Sequence, residues 1–244
     1  MKLIFVRHGE PDYEADSLTE KGWREAALLA DRLCAMQVDD FYVSPLGRAR
    51  DTARDTLRRL GREAETLPWL EEFRGKVVDP KTAEVSYAWD FAPQYWTHCP
   101  EFWDMKAWRD NALVATGDSG RIYDETAAGL DALLSRYGYA REGCLYRTRA
   151  NSDATVVLFC HFGVTMAMLS HLLRIPFHLL THGIILAPSS VTTLVTEERV
   201  PGEVWFRCVG LGDTSHLYVA GEPISHYGRY REHYGVDDGL GAKE

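Results

Sequence analysis

Three short apolar runs in this chain each end abruptly in polar residues, and this pattern limits the folds that the sequence can adopt. The first run, residues 3–6, is β-branched and aromatic and is followed at once by Arg7-His8-Gly9-Glu10. Such a run, stopped by charge and glycine, predicts a buried strand of a parallel sheet that opens into a loop. Because ligands of open α/β sheets bind beyond the carboxyl ends of the strands, we expect Arg7 and His8 to face a crevice.

The second run, residues 41–43, leads into a predicted helix that begins with Ser44 and Pro45. Serine is a favourable N-cap, and proline suits the first helical position. Arg48 then lies in the first turn, near backbone N–H groups that have no helical partner. A helix N-terminus with a guanidinium beside it predicts an anion-binding site.

The third run, residues 155–160, is followed by His161 and then by a predicted apolar helix over residues 164–173. A single histidine at a strand end is more often structural than catalytic. Here, however, two histidines and two arginines follow three strands whose carboxyl ends point the same way in a parallel sheet. The sequence therefore predicts one positively charged pocket, and a phosphoryl group is its expected ligand.

At this point the chain resembles the histidine phosphatase superfamily, in its phosphoglycerate mutase-like branch 1. That superfamily includes phosphoglycerate mutases, fructose-2,6-bisphosphatases, α-ribazole phosphatases and broad-specificity phosphatases. The resemblance covers roughly residues 1–75 and 150–220. Its motifs, in chain order, are Arg7-His8-Gly9-Glu10, Leu18-Thr19-Glu20-Lys21-Gly22, the segment from Ser44 to Ala53, Leu70-Glu71-Glu72-Phe73, Cys160-His161-Phe162-Gly163 and Gly212-Asp213-Thr214-Ser215-His216-Leu217.

The resemblance implies a fold and a set of catalytic roles. The implied fold is a three-layer α/β/α sandwich with a mostly parallel central sheet. His8 is the implied nucleophile and forms a phosphohistidine. Arg7, Arg48 and His161 are the implied phosphate ligands, and they stabilise charge in the transition state. The scheme needs neither a metal ion nor a cofactor.

The resemblance also implies a carboxylic acid that protonates the leaving alkoxide and then activates water. It aligns best with Glu72, although Glu71 is adjacent and both could be surface carboxylates. Phe162 stands where the other branch of the superfamily carries an aspartate, which disfavours an acid phosphatase or phytase.

Hydrolysis of a small phosphate monoester is the predicted activity. Mutases and bisphosphatases of this superfamily usually carry an asparagine six positions after the histidine, where this chain has Glu14. A phosphoglycerate-type mutase and a catalytically idle phospho-ligand sensor remain alternatives. The natural phosphate ester is left open by the sequence.

The chain is predicted to be a single domain over residues 1–244, with an aromatic-rich insertion over residues 76–121. The insertion holds Trp89, Trp96, Trp103 and Trp108, and prolines break it into short pieces. Two interpretations are open for these rings. They could form a lid that selects an apolar or ring-bearing leaving group, or a satellite core that packs the insertion onto the domain.

Composition excludes several other classes of protein. The net charge of −9 disfavours nucleic acid or an anionic membrane as a partner, since both require a basic surface. No apolar run approaches the length of a membrane span, and five scattered cysteines favour reduced thiols, so a cytoplasmic location is expected. The oligomeric state is left open.

Overall fold

The computed structural model describes residues 1–79, 82, 84–230 and 232–233. Its strands are β1 (Lys2–Arg7), β2 (Pro11–Asp12), β3 (Ser17–Leu18), β4 (Asp40–Val43), β5 (Glu65–Thr66), β6 (Lys76–Val78), β7 (Val85–Tyr87), β8 (Ala140–Glu142), β9 (Leu145–Arg147), β10 (Thr155–Cys160), β11 (Val191–Val200) and β12 (Glu203–Asp213). Its α-helices are α1 (Glu20–Cys34), α2 (Gly47–Leu60), α3 (Pro93–Trp96), α4 (Ser119–Ser135), α5 (Phe162–Leu173), α6 (Phe177–Gly183) and α7 (Ser215–Ala220).

The central sheet is mixed. Its strand order is β5-β4-β10-β1-β11-β12-β9-β8. The pairings from β5 through β1 are parallel, whereas those from β1 through β8 are antiparallel. The predicted α/β fold is therefore confirmed, but the sheet is parallel only in the half that carries β1, β4 and β10. The other half is antiparallel because β11 and β12 are joined by a tight turn, which only antiparallel neighbours allow.

Two buried clusters of side chains lie on opposite faces of this sheet and make it the middle of three layers. One cluster joins α1 and α2 to the sheet through Leu29, Ala53 and their neighbours. The other joins α4, α5 and α6 to the opposite face, where Leu130 and Met168 have almost no exposed surface. Alternate strand residues supply the two clusters, as the period of two along a strand requires.

The start of α2 differs from the prediction. The helix begins at Gly47, with Leu46 at the N-cap, so Ser44 does not cap it and Pro45 is not its first residue. The Ser44 hydroxyl instead lies 2.7 Å from Nε2 of His161. Tertiary pairing of a buried imidazole has replaced the local capping role that the sequence suggested.

Much of the insertion packs onto α6. Phe91, Phe102 and Trp108 belong to the same buried cluster as Phe177 of that helix. Residues 80, 81 and 83 of the insertion lie outside the described residues. All five cysteines are free thiols. Within the described part of the chain, no helix combines the length and apolar character needed to cross a membrane.

Candidate active site

The site lies at the carboxyl edge of the parallel half of the sheet. The last residue of β1, Arg7, is in register with Cys160 of β10, and Phe159 is in register with Val43 of β4. The backbone continues this pairing beyond the strands, because the amide of His8 donates to the carbonyl of Cys160 at 3.0 Å. The three strands therefore deliver the predicted site residues to one edge.

His8 is held as a neutral imidazole. Its Nδ1 lies 2.7 Å from the carbonyl oxygen of Gly9, and a carbonyl can only accept, so Nδ1 carries the proton. Burial holds the pKa of His8 well below its ordinary value, and the charges of Arg7 and Arg48 lower it further. The remaining nitrogen, Nε2, thus keeps an unprotonated lone pair, which is the state a nucleophile needs.

His161 lies beside His8. The ring centroids are 5.1 Å apart, and the imidazole of His161 is completely buried. Its Nε2 pairs with the Ser44 hydroxyl, while its Nδ1 has no hydrogen-bond partner among the described residues. Burial, followed by the charges of His8, Arg48 and Arg7, holds the pKa of His161 well below its ordinary value.

Arg7 and Arg48 bring two guanidinium groups to the same edge. Arg7 is only 7 % exposed and Arg48 only 5 % exposed. Arg7 donates through Nη1 to the carbonyl of Leu186, and both residues have an Nε that lacks a hydrogen-bond partner among the described residues. Buried charged groups that keep free donors form an anion site, because burial strengthens their interaction with an incoming charge.

Asp16 holds Arg48 from the open side of the site. Its carboxylate accepts from the Gly47 amide at 2.6 Å and from Nη1 of Arg48 at 2.7 Å. Asp16 has a φ of 46°, in the left-handed region. A Cβ on Gly47 would lie 2.1 Å from the Asp16 carbonyl oxygen, so this contact requires glycine at position 47. An internal carboxylate is thus bound at the N-terminus of α2, where the sequence predicted an anion.

Glu72 lies inside the site and Glu71 outside it. Oε1 of Glu72 accepts from the amides of Phe73, Gly163 and Val164 at 2.8, 2.9 and 3.2 Å. Burial raises the pKa of Glu72, although Arg48, Arg7 and these hydrogen bonds oppose the shift. Glu71 instead lies 3.4 Å from the guanidinium of Arg74, and both of those side chains are largely exposed.

Several polar residues that had no predicted role support the loop that follows β1. The Thr52 hydroxyl accepts from the Gly9 amide at 2.9 Å, and the Glu25 carboxylate accepts from the Glu10 amide at 2.8 Å. Burial raises the pKa of Glu25 to about 7. The Ser189 amide donates to the carbonyl of His8 at 2.9 Å, and the Ser189 hydroxyl contacts His216 of the last motif. Thr52 could have been found from the sequence, because it lies one helical turn after Arg48 on the same face of α2.

Among the described residues, no group of three or more His, Cys, Asp or Glu side chains could hold a metal ion. The edge itself presents two neutral imidazoles, two guanidinium groups and one carboxyl group whose pKa is raised. Such a set can bind a phosphoryl group, supply a nucleophile and exchange a proton.

Known structures share the fold. The chain superposes on mycobacterial glucosyl-3-phosphoglycerate phosphatase with a TM-score of 0.60 at 19% identity, covering 87% of this chain and 99% of that one. It superposes on phosphoserine phosphatase from Entamoeba histolytica, crystallised with phosphoserine, with a TM-score of 0.57 at 20% identity, covering 88% and 98% of the two chains.

Curated sequences and a family model give the relationship. A probable phosphoglycerate mutase from Photorhabdus laumondii is 28% identical over 153 residues, which is 59% of this chain and 63% of that protein. A 2,3-bisphosphoglycerate-dependent phosphoglycerate mutase from Thermoplasma acidophilum is 40% identical over 65 residues, 22% of this chain and 32% of that protein. The match thus spans less than two thirds of either relative. The model of the histidine phosphatase superfamily (branch 1) matches residues 3–207. The chain belongs to branch 1 of the histidine phosphatase superfamily.

Proposed function

We propose that the protein hydrolyses a small-molecule phosphate monoester through a phosphohistidine on His8. The observation that carries this proposal is the state of His8. Its Nδ1 proton is fixed on the Gly9 carbonyl, and burial beside Arg7 and Arg48 keeps the ring neutral. A neutral imidazole next to two buried guanidinium groups is suited to attack phosphorus, because the cations neutralise the phosphoryl oxygens that would repel it.

In the first step, the Nε2 lone pair of His8 forms a bond to phosphorus as the bond from phosphorus to the alcohol oxygen breaks. Arg7, Arg48 and His161 hold the phosphoryl oxygens. They are fixed in place before the reaction, by the Leu186 carbonyl, the Asp16 carboxylate and the Ser44 hydroxyl respectively. Donors fixed in this way stabilise the transition state without first having to reorient.

Glu72 is the proposed general acid and base. Its raised pKa keeps a proton available at higher pH than an ordinary glutamate would, and this proton passes to the departing alcohol oxygen. Water then attacks the phosphohistidine, Glu72 accepts a proton from that water, and the bond between Nε2 and phosphorus breaks. Inorganic phosphate and neutral His8 result. Glu71, paired with Arg74, has no role in this scheme.

Hydrolysis is favoured over phosphoryl transfer between two acidic substrates by the charge of the loop at the site. The Asp16 carboxylate already pairs with Arg48. A second acid group on a bound substrate would therefore meet a guanidinium that is already paired and would be repelled by Asp16. The mutase relatives keep phosphoryl transfer as the second candidate function.

The proposal is tested by assaying a panel of phosphate monoesters with and without EDTA, using wild type, His8→Ala and, as control, the exposed His98→Ala. We expect release of phosphate that EDTA leaves unchanged and that only His8→Ala abolishes. Quenching turnover with alkaline detergent should trap label from a ³²P-ester on His8, and later treatment with acid should release that label. Phosphate transfer between phosphoglycerates without release, or full activity in His8→Ala, would contradict the proposal. A protein that binds phosphate but turns over no ester would support the sensor alternative instead.

A further inference from the structure

The aromatic rings of the insertion fall into two groups with different neighbours. One group packs around His178 of α6, where the ring of Phe102 is 4.1 Å, that of Trp108 5.2 Å and that of Phe91 6.0 Å from the imidazole. These three rings are buried. They form a satellite core, which is one of the two interpretations open for the insertion.

The second group, Tyr87 and Trp89, lies at the proposed active site. Their rings stack at 5.3 Å, and Trp89 meets the ring of Phe162, the residue after His161, edge to face at 5.9 Å. The indole Nε1 of Trp89 donates to the carbonyl of Phe73, the residue after Glu72, at 2.8 Å. Trp89 is therefore fixed between the segments that carry the second histidine and the proposed acid.

Two more aromatic residues lie on the other side of the arginines. The Tyr13 ring centroid is 5.2 Å from Cζ of Arg48, and the rings of Tyr13 and Tyr227 are 5.7 Å apart. On the near side, the Phe162 ring is 5.9 Å from Cζ of Arg7. The charges of Arg7, Glu72 and Arg48 all act on the phenol of Tyr13. We call Tyr13, Tyr87, Trp89, Phe162 and Tyr227 the aromatic collar.

The collar presents aromatic surface that the fold itself does not bury. Tyr13 is 54% exposed and Tyr87 is 38% exposed, unlike the fully buried rings around His178. Exposed aromatic surface that borders a catalytic group marks a ligand site, because rings give large contact area for little loss of side-chain freedom.

The charges near the collar exclude one kind of ligand. Asp12, the last residue of β2, precedes Tyr13, and Glu14 and Asp16 follow it in the loop after that strand. Arg74, the further cation whose charge acts on His161, is already paired with Glu71. A carboxylate on the leaving group would meet the Asp16 carboxylate that pairs with Arg48 beside Tyr13, whereas an uncharged ring would meet aromatic faces.

We propose that the aromatic collar binds a planar, uncharged ring on the alcohol part of the substrate. The preferred substrates are then monoesters of ring-bearing alcohols, not esters of sugar acids or amino acids. This inference rests on the proposed function, since the collar borders the atoms assigned there to phosphate binding and proton transfer.

Matched esters test the collar without changing the chemistry of the leaving group. Benzyl phosphate and cyclohexylmethyl phosphate both release a primary alcohol, but only the first carries a planar ring. We expect kcat/KM to favour benzyl phosphate by about two- to tenfold, the range that one aromatic contact supplies. We expect 3-phosphoglycerate to be a poorer substrate than either. Equal values for the two ring esters, or a preference for 3-phosphoglycerate, would overturn the inference.

Variants assign the preference to particular rings. Tyr87→Ala and Phe162→Leu should each reduce the benzyl preference to near one, because each removes an aromatic face on which a planar ring can stack. Trp103→Ala is the matched control, because this ring is also exposed and in the insertion but contacts Trp96. It should retain the full preference. A loss of preference in Trp103→Ala equal to that in Tyr87→Ala would show a general effect of the insertion and would contradict the collar.

A binding measurement separates failure of the collar from failure of the proposed function. Benzylphosphonate and cyclohexylmethylphosphonate cannot be hydrolysed, so calorimetry reports their binding even to an inactive protein. If no ester is hydrolysed but benzylphosphonate binds several-fold more tightly and loses that advantage in Tyr87→Ala, the collar stands and the hydrolase does not. If esters are hydrolysed through His8 but the two phosphonates bind equally, the hydrolase stands and the collar does not.

Discussion

The edge of the sheet and the insertion are built on opposite principles. At the edge, Arg7, His8, Arg48 and His161 are buried polar groups that backbone and side-chain hydrogen bonds hold in place. In the insertion, Phe91, Phe102 and Trp108 are held onto α6 by ring packing. Polar positioning fixes atoms to within a hydrogen-bond length, whereas apolar packing fixes a segment by shape and area. We therefore expect substitutions at the sheet edge to change the catalytic rate and to leave the packing of the insertion intact. Substitutions of the exposed rings should change the substrate preference and leave the reaction mechanism intact.

The largest effect is expected from His8→Ala. Without the nucleophile, the rate with benzyl phosphate should fall by a factor on the order of a thousand or more, since oxyanion contacts alone would remain. Steady-state kinetics measures the loss, and thermal unfolding checks that the fold is intact. A rate within tenfold of wild type would contradict the assignment of His8 as the nucleophile.

Glu72→Gln should lower the rate with benzyl phosphate by about a hundredfold, because general acid catalysis typically supplies at least that factor. With p-nitrophenyl phosphate, whose leaving group hardly needs a proton, the loss should be much smaller. Glu71→Gln is the matched control and should behave as wild type. Equal losses of rate with both esters would show that Glu72 is not the general acid.

His178→Phe tests the packing of the insertion, because it should make the folded protein less sensitive to acid. Burial lowers the pKa of His178 to about 3, and among the described residues neither ring nitrogen has a hydrogen-bond partner. Because the unfolded chain binds this proton more readily, the folded state loses stability as pH falls from about 6.5 towards 3. The loss from this residue is roughly 3 kcal/mol between pH 7 and pH 4.

Urea unfolding at pH 7 and pH 4 measures that loss. The wild type should lose about 3 kcal/mol more between the two pH values than His178→Phe does. Activity at pH 7 should be unchanged in the variant, because His178 lies in the satellite core. An equal acid sensitivity in both proteins would show that protonation of His178 does not weaken the packing of the insertion.

The smallest effect is expected from Asp16→Asn. The two hydrogen bonds from Gly47 and Arg48 end on different oxygens of Asp16, so the amide keeps an acceptor for only one of them, and it removes the negative charge from a half-exposed side chain. Inorganic phosphate should then inhibit about two- to fivefold more tightly at low ionic strength, and the difference should shrink in salt. Weaker inhibition by phosphate would show that the charge of Asp16 helps the anion site and does not compete for it.

The edge of the parallel half of the sheet could be predicted from the sequence, because the local sequence pattern and the topology agree there. The residues that follow β1, β4 and β10 could be predicted to meet, because strand ends in a parallel sheet share an edge. The strands around the turn at residues 200–202 could also be predicted, but the sequence did not show that this hairpin would pair with β1 and make the sheet mixed.

The contacts that position the site residues could not be predicted from sequence patterns. Ser44 looks like a helix cap, yet its hydroxyl pairs with His161, 117 positions away in the chain. The contact of Asp16 with Arg48 spans 32 positions and depends on a left-handed backbone and on glycine at 47. The division of the insertion into buried and exposed rings likewise depends on where α6 lies. Each of these is a tertiary contact with no periodic signal.

The stereochemical course at phosphorus tests the central claim most directly. A benzyl phosphorothioate made chiral with two oxygen isotopes can be hydrolysed in water that carries the third isotope, and the configuration of the thiophosphate product can be determined by phosphorus NMR after derivatisation. Two successive in-line displacements, first by His8 and then by water, predict net retention of configuration, however briefly the phosphohistidine exists. Net inversion would mean that water attacks the ester directly, and it would contradict the account.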